Sequence, residues 1–327
     1  MIELDAAEAF RGAQNTVRIV GHRGARGVLP ENSMIGFEFA INTGVKLLEF
    51  DVVMTADFVP VITHNHRLHA PTFRGLDGHF ITEERRISEL TWDEVRQYEI
   101  GWIDGSTAYG QRFPDQAQVG DVHVPKLEDL LTLVSHPQHS DTFLMLEIKS
   151  DPQFVSDPRY RERLVAEVVE VVRRTDLSKR TVLHSFDWDL LKVCQAYAPD
   201  LPTSFLTYLN PPQTHYGEDS SRTVSPEFTG CEETIPQLVK DAGGKLWCPY
   251  FEDVSQDIID QAKELGLIVA VWTVNEPADI KRMLGFGVDA IVTDYPGRVQ
   301  RLIADYGYRI ATQTRSTARL EASKQAS

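Results

Sequence analysis

Cysteine is scarce in this chain. Cys194, Cys231 and Cys248 are odd in number, widely spaced and form no Cys-x-x-Cys, which excludes a disulfide framework and a thiolate zinc site. They read as small buried hydrophobes of a reducing compartment. Long apolar runs are also missing, with no window of about 18 residues fit to span a bilayer. The opening MIELDAAEAFRGAQN has neither the basic start nor the apolar stretch of a signal peptide, so a cytoplasmic location without membrane insertion is expected. Positive charge is in short supply. Against 48 Asp and Glu stand 33 Lys and Arg, a formal net charge of −15, which opposes non-specific binding to nucleic acid or an anionic membrane. An anionic substrate would need a local cationic centre.

What is present is an alternation of β-rich and helical segments. Apolar runs at 246–250, 267–274 and 288–294 each precede a helical pattern. Ser255 and Asn275 stand where N-caps are expected, and Gly266 and Gly285 where helices should stop. Further strand candidates lie at 17–22, 47–53, 142–149, 180–186 and 202–208, with 60–64 as the return arm of a hairpin. Leu127, Leu130, Leu131 and Val134 share a helix face, as do Leu164, Val168, Val171 and Val172. Strands apolar almost throughout belong to parallel sheets covered on both faces. Eight such strands alternating with helices predict a (β/α)8 TIM barrel, the alternative being an open doubly wound sheet. Residues 1–310 then form one domain. Residues 66–124 are too long and too rich in Gly and aromatics for a barrel loop and are read as an inserted lid subdomain. The polar tail 311–327 is read as disordered.

Glu49 and Asp51 are two apart on a strand, so both point to one face about 6.5–7 Å apart along the chain. Glu147 and Lys149 repeat the pattern. Carboxylates facing a barrel interior need a cation, and three of them offer hard oxygen ligands for one divalent ion, Mg²⁺ or Ca²⁺. If these groups share a cavity, the ion and Lys149 offset the three carboxylates, and Arg23 remains for the single negative charge of a phosphodiester. His22 ends the first strand and His64 the hairpin arm, placing both at the C-terminal mouth, where barrel enzymes keep their active sites. Displacement at phosphorus needs a base and an acid, and imidazole suits both tasks.

Other signals are weaker. His64, His66 and His69 spell H-x-H-x-x-H, a pattern that could mimic zinc ligands. His184 ends another strand and is a further pocket candidate, and Trp272 sits near a strand end with its ring expected to face the pocket. Gly21, Gly24 and Gly27 do not make a dinucleotide fingerprint and fit tight turns better.

These residues together resemble the glycerophosphodiester phosphodiesterase family over roughly residues 17–305. The resemblance rests on HRG at 22–24, PEN at 30–32, EFD at 49–51, VITH at 61–64, EIK at 147–149, WTVN at 272–275 and TDYP at 293–296. It implies metal binding by Glu49, Asp51 and Glu147, general base and acid roles for His22 and His64, and phosphate contacts from Arg23 and Lys149. The substrate implied is a small glycerophosphodiester, cleaved to glycerol 3-phosphate and an alcohol, with the insertion covering the site. Two positions depart from the usual pattern: Asn65 where many members have Asp, and Ser33 where Thr is commoner. The insertion is also less similar. Competing expectations are a lysophospholipid-cleaving phosphodiesterase, a zinc amidohydrolase-like barrel and a catalytically silent barrel that binds phosphodiesters. The sequence leaves the oligomeric state open.

Overall fold

A computed structural model describes residues 5–13, 15–209 and 224–310. The tail expected to be disordered lies outside the described residues. Eight parallel strands close into a barrel: β1 (Thr16–His22), β2 (Leu47–Met54), β4 (Phe143–Ile148), β5 (Thr181–Ser185), β6 (Thr203–Thr207), β7 (Leu246–Pro249), β8 (Ile268–Val271) and β9 (Ala290–Thr293). Closure follows because β1 pairs with both β2 and β9. The fold is the (β/α)8 barrel, not an open sheet. The short β3 (Pro60–Ile62) runs antiparallel to β2. It stops before His64, which lies in the following turn and not at a strand end. β10 (Arg309–Ile310) pairs with the start of β1, a strand that local pattern did not signal.

Alternation along each strand splits the core in two. Leu48, Phe50 and Val52 of β2 and Leu144, Leu146 and Ile148 of β4 face the helical ring. There they meet α1 (Met34–Asn42), α4 (Leu127–Ser135) and α5 (Tyr160–Arg174). The intervening residues face inward. Leu47, Phe143, Met145, Val182, Leu246 and Ile268 fill the lower barrel, and the 3-10 turn Ala7–Phe10 closes it from beneath with Phe10 fully buried. The barrel therefore has an apolar floor and a polar upper layer.

Two expected helix signals are corrected. α9 (Pro277–Phe286) is capped by Glu276, not Asn275, and ends at Gly287 in the left-handed region, leaving Gly285 inside the helix. By contrast α8 (Gln256–Glu264) starts at Ser255, whose hydroxyl accepts from Ile258 N, and Gly266 follows it. Gly24 turns the chain at the mouth with φ 87°, and a Cβ there would lie 2.9 Å from the Gly36 carbonyl carbon. That contact fixes the first loop against α1.

Residues 66–124 contain the short α2 (Trp92–Val95) and α3 (Ala108–Gln111). Leu68, Phe73, Ile87, Leu90, Val95 and Ile100 pack with Val53 and Val61 of the β2–β3 hairpin, so the segment stands on that hairpin beside the mouth.

Emptying the floor should cost about 3–5 kcal/mol, the range for a buried Phe→Ala change. Urea denaturation of Phe10→Ala should show that loss; a change below about 1 kcal/mol would mean that the turn does not support the barrel.

Candidate active site

Ladder register brings the polar residues together. His22 stands opposite Glu49 across β1–β2, Asp51 opposite Glu147 across β2–β4, and Glu147 opposite His184 across β4–β5. Opposed residues of neighbouring strands share a face, so groups far apart in sequence meet on the inner wall. One carboxylate oxygen from each of Glu49, Asp51 and Glu147 lies within 4.8 Å of the others, all three side chains buried. Lys149 Nζ stands 3.0 Å from Asp51 Oδ1 and 2.7 Å from Glu147 Oε1. Arg23 Nε lies 3.3 Å from Asp51 Oδ2, which also accepts from Asn32 Nδ2 at 2.9 Å.

Burial and the neighbouring carboxylates push Glu49 well above the usual carboxylate range. Burial likewise lifts Glu147 to about 7 against the pull of Lys149. Burial acts on Asp51 in the same direction, but Lys149 and Arg23 outweigh it and hold Asp51 well below its ordinary value. The cluster is thus short of positive charge.

The charge balance read from sequence needs correction, because Arg23 is not left over. Its Nη1 donates to Glu31 Oε1 at 2.8 Å. Arg26 is likewise engaged by Asp294, so the Glu49–Asp51–Glu147 cluster is left with Lys149 and a shared Arg23 as its cations. Glu147 Oε1, though beside Lys149, has no hydrogen bond of good angle, and three carboxylates are the hard donors that Mg²⁺ or Ca²⁺ takes. The residues fit such an ion.

His22 Nδ1 lies 2.6 Å from Asp294 Oδ1. An ionised carboxylate only accepts, so Nδ1 carries the proton and the Nε2 lone pair faces inward, 3.7 Å from Glu49 Oε2. Burial lowers the His22 pKa to about 4, against Asp294. Asp294 is itself clamped by Arg26 through Nε at 2.8 Å and Nη2 at 3.1 Å, and by Asn275 Nδ2 at 2.7 Å. Despite its burial these neighbours hold it well below the usual range. His64 is oriented differently, with Nδ1 2.6 Å from Asn65 Oδ1, an uncharged amide. His22, His64, Arg23, Glu49, Glu147, Lys149 and Trp272 line one cavity of about 320 Å³, and His184 lines it too. His184 Nδ1 meets Ser204 Oγ at 2.8 Å, and burial lowers its pKa to about 3.

The H-x-H-x-x-H run does not converge. His66 is buried beside Asp151, and His69 stacks edge-on against Tyr109 at 4.6 Å. Among the described residues the only group of three metal-ligating side chains within reach of one ion is Glu49, Asp51 and Glu147. Trp272 donates from Nε1 to Cys248 O at 3.0 Å and packs its ring between Phe186 and Tyr250.

Sequence reasoning passed over several neighbours. Asp294 stood inside the TDYP motif without a role. Glu31 likewise stood inside PEN without a role, and Arg26 and Tyr109 had no periodic or spacing signal, yet the Tyr109 hydroxyl bonds Glu31 and lies 3.4 Å from Arg26 Nη1. Arg112, also from the insertion, lines the cavity.

Mg²⁺ or Ca²⁺ at about 100 times its dissociation constant should raise stability by about 2.7 kcal/mol. Thermal denaturation should show a metal-dependent rise in Tm that Glu147→Gln abolishes; an equal rise in the variant would place the ion elsewhere.

Comparison with known proteins agrees with the barrel fold. A Silicibacter pomeroyi DSS-3 protein assigned as a glycerophosphoryl diester phosphodiesterase superposes with a TM-score of 0.84 at 49% identity, covering 93% of this chain and 99% of that one. The Bacillus subtilis protein YqiK is 30% identical over 88% of this chain and 98% of its own length. A human lysophospholipase D is 24% identical over 89% of this chain and 86% of its own. The glycerophosphoryl diester phosphodiesterase family profile matches residues 22–298, and the chain belongs to that family.

Proposed function

We propose that the protein hydrolyses glycerophosphodiesters to glycerol 3-phosphate and an alcohol, with His22 and His64 as the acid–base pair. One observation carries this reading: both imidazoles line a single cavity with Glu49, Glu147, Arg23 and Lys149, and Asp51 completes the carboxylate cluster beside it. Mg²⁺ or Ca²⁺ held by those three carboxylates would supply charge neutralisation and polarisation of the phosphoryl group.

The chain's own groups account for the remaining steps. Lys149 Nζ, 3.0 Å from Asp51 and 2.7 Å from Glu147, serves a phosphate oxygen, and the adjacent Arg23 guanidinium serves another. His22 is the better base. Its Nε2 lone pair takes the proton of the attacking water while the imidazolium that forms is balanced by Asp294 through Nδ1. His64, held through Nδ1 by Asn65 Oδ1, gives a proton to the departing alkoxide. The apolar floor excludes water from below, which strengthens each of these interactions. A cytoplasmic setting agrees with the three free cysteines.

A second reading, cleavage of lysophospholipids, is favoured by a neighbouring cavity of about 390 Å³. Val53, Met54, Phe58, Ile87, Phe154 and Leu164 line it, and Lys149 stands at its edge. An acyl chain carried on the glycerol would find apolar walls there.

The test incubates purified protein with glycerophosphocholine, glycerophosphoethanolamine and lysophosphatidylcholine, with Mg²⁺, Ca²⁺ or chelator, following glycerol 3-phosphate and free alcohol. Release from the water-soluble diesters that chelator suppresses is expected; full activity in chelator overturns the metal assignment. His22→Ala and His64→Ala should each lose at least about 100-fold in kcat, and near-normal turnover removes that residue from the mechanism. Asp294→Asn should lower kcat by a similar factor with little change in KM, with circular dichroism confirming the fold.

A further inference from the structure

The chain between β1 and α1 carries Arg23, Arg26 and Glu31, and it leaves His22 in a turn made against local preference. Arg23 has φ 49°, a left-handed conformation that a residue with a Cβ adopts only when its surroundings hold it there. The barrel supplies one hold, since Asp294 O accepts from Gly27 N at 3.0 Å. Residues 109–117 supply others. Gln116 Nε2 donates to Arg26 O at 2.7 Å, and Ala117 N donates to Val28 O at 2.8 Å. Side chains continue the pattern. Tyr109 stands on α3, whose first turn is capped by Thr107 Oγ1 accepting from Gly110 N at 3.0 Å. Its ring packs edge-on against His69 at 4.6 Å and Phe113 at 5.4 Å, which fixes where the hydroxyl points. That hydroxyl accepts from Arg26 Nη1 at 3.4 Å and donates to Glu31 Oε2.

Two branches leave this hydroxyl. Along one, Arg26 grips both oxygens of Asp294 while its guanidinium lies 4.5 Å from the centre of the Phe113 ring, and Asp294 holds His22 Nδ1. Along the other, Glu31 Oε1 accepts from Arg23 Nη1. A single phenol therefore reaches the imidazole on one side and a phosphate-binding guanidinium on the other. Tyr109, Arg26 and Arg23 are all buried, so a bond removed there is not replaced by bulk water. We propose that residues 109–117 brace the loop after β1, with Tyr109 and Arg26 as positioning residues for His22 and Arg23. This segment then sets the geometry of the reacting groups besides standing beside the mouth. The inference rests on the phosphodiesterase reading above, which gives His22 and Arg23 their tasks.

The test measures kcat and KM of the full chain for glycerophosphocholine, with circular dichroism confirming the fold of each variant. Tyr109→Phe keeps the packed ring and removes only the hydroxyl, so kcat should fall about tenfold, as expected for a lost hydrogen bond to charged partners. Its KM should rise about threefold through Arg23. Arg26→Ala should lower kcat at least about 30-fold with KM within about twofold, the scale on which a misplaced reacting group loses rate. Millimolar guanidinium should recover most of that loss, whereas Phe10→Ala, which weakens only the barrel floor, should gain nothing from it. A second readout needs no substrate. The His22 Nδ1 proton bonded to Asp294 gives a far-downfield proton resonance, identified by its loss in His22→Ala, that should move in Tyr109→Phe and Arg26→Ala and stay in place in Phe10→Ala. Near-normal kinetics in both variants, or a resonance unmoved in both, overturns the brace; a loss in Arg26→Ala that guanidinium does not recover overturns the role of Arg26. If the unaltered protein cleaves no diester, the phosphodiesterase reading falls and the resonance decides: movement in both variants supports the brace, and a fixed position overturns it.

Discussion

Three carboxylates buried on adjacent strands are the constraint around which the upper barrel is arranged. Glu49, Asp51 and Glu147 sit where water is scarce, and like charges a few ångströms apart in such surroundings cannot all remain ionised without compensation. The chain supplies part of it through Lys149 and Arg23. Arg23 is shared with Glu31, and the three carboxylates lie close enough together for one oxygen of each to reach a common divalent ion.

The same layer explains why the two histidines differ. His22 is fixed by an ionised Asp294 that Arg26 and Asn275 hold in place, whereas His64 leans on the neutral Asn65. An ionised partner favours a protonated ring more than a neutral amide does. Residues 66–124 enter the same network through Tyr109, which joins Glu31 and Arg26.

Much of this was legible because strand geometry is so regular. Residues two apart on a strand face one way, so Glu49 with Asp51, and Glu147 with Lys149, could be assigned to the interior from spacing alone. Local signals failed where a side chain had a stronger tertiary partner. Asn275 has the composition of an N-cap, but its amide is taken by Asp294 and Thr293, and the helix begins after Glu276. The H-x-H-x-x-H run has the spacing of a metal motif, but its backbone leaves the barrel after His64 and separates the three rings. Arg26 and Tyr109 had no pattern to mark them, since their partners, Asp294 and Glu31, are distant in sequence.

By itself the sequence determined the barrel class, the inward residues of each strand and the chemical kind of the site. These follow from periodicity and residue type, which are local properties. The tertiary structure alone decided the register that aligns His22 with Glu49 and Asp51 with Glu147, and the gathering of their charged neighbours around one cavity. Those depend on which strands become neighbours, and barrel closure settles that by bringing β9 against β1 across nearly the whole length of the chain.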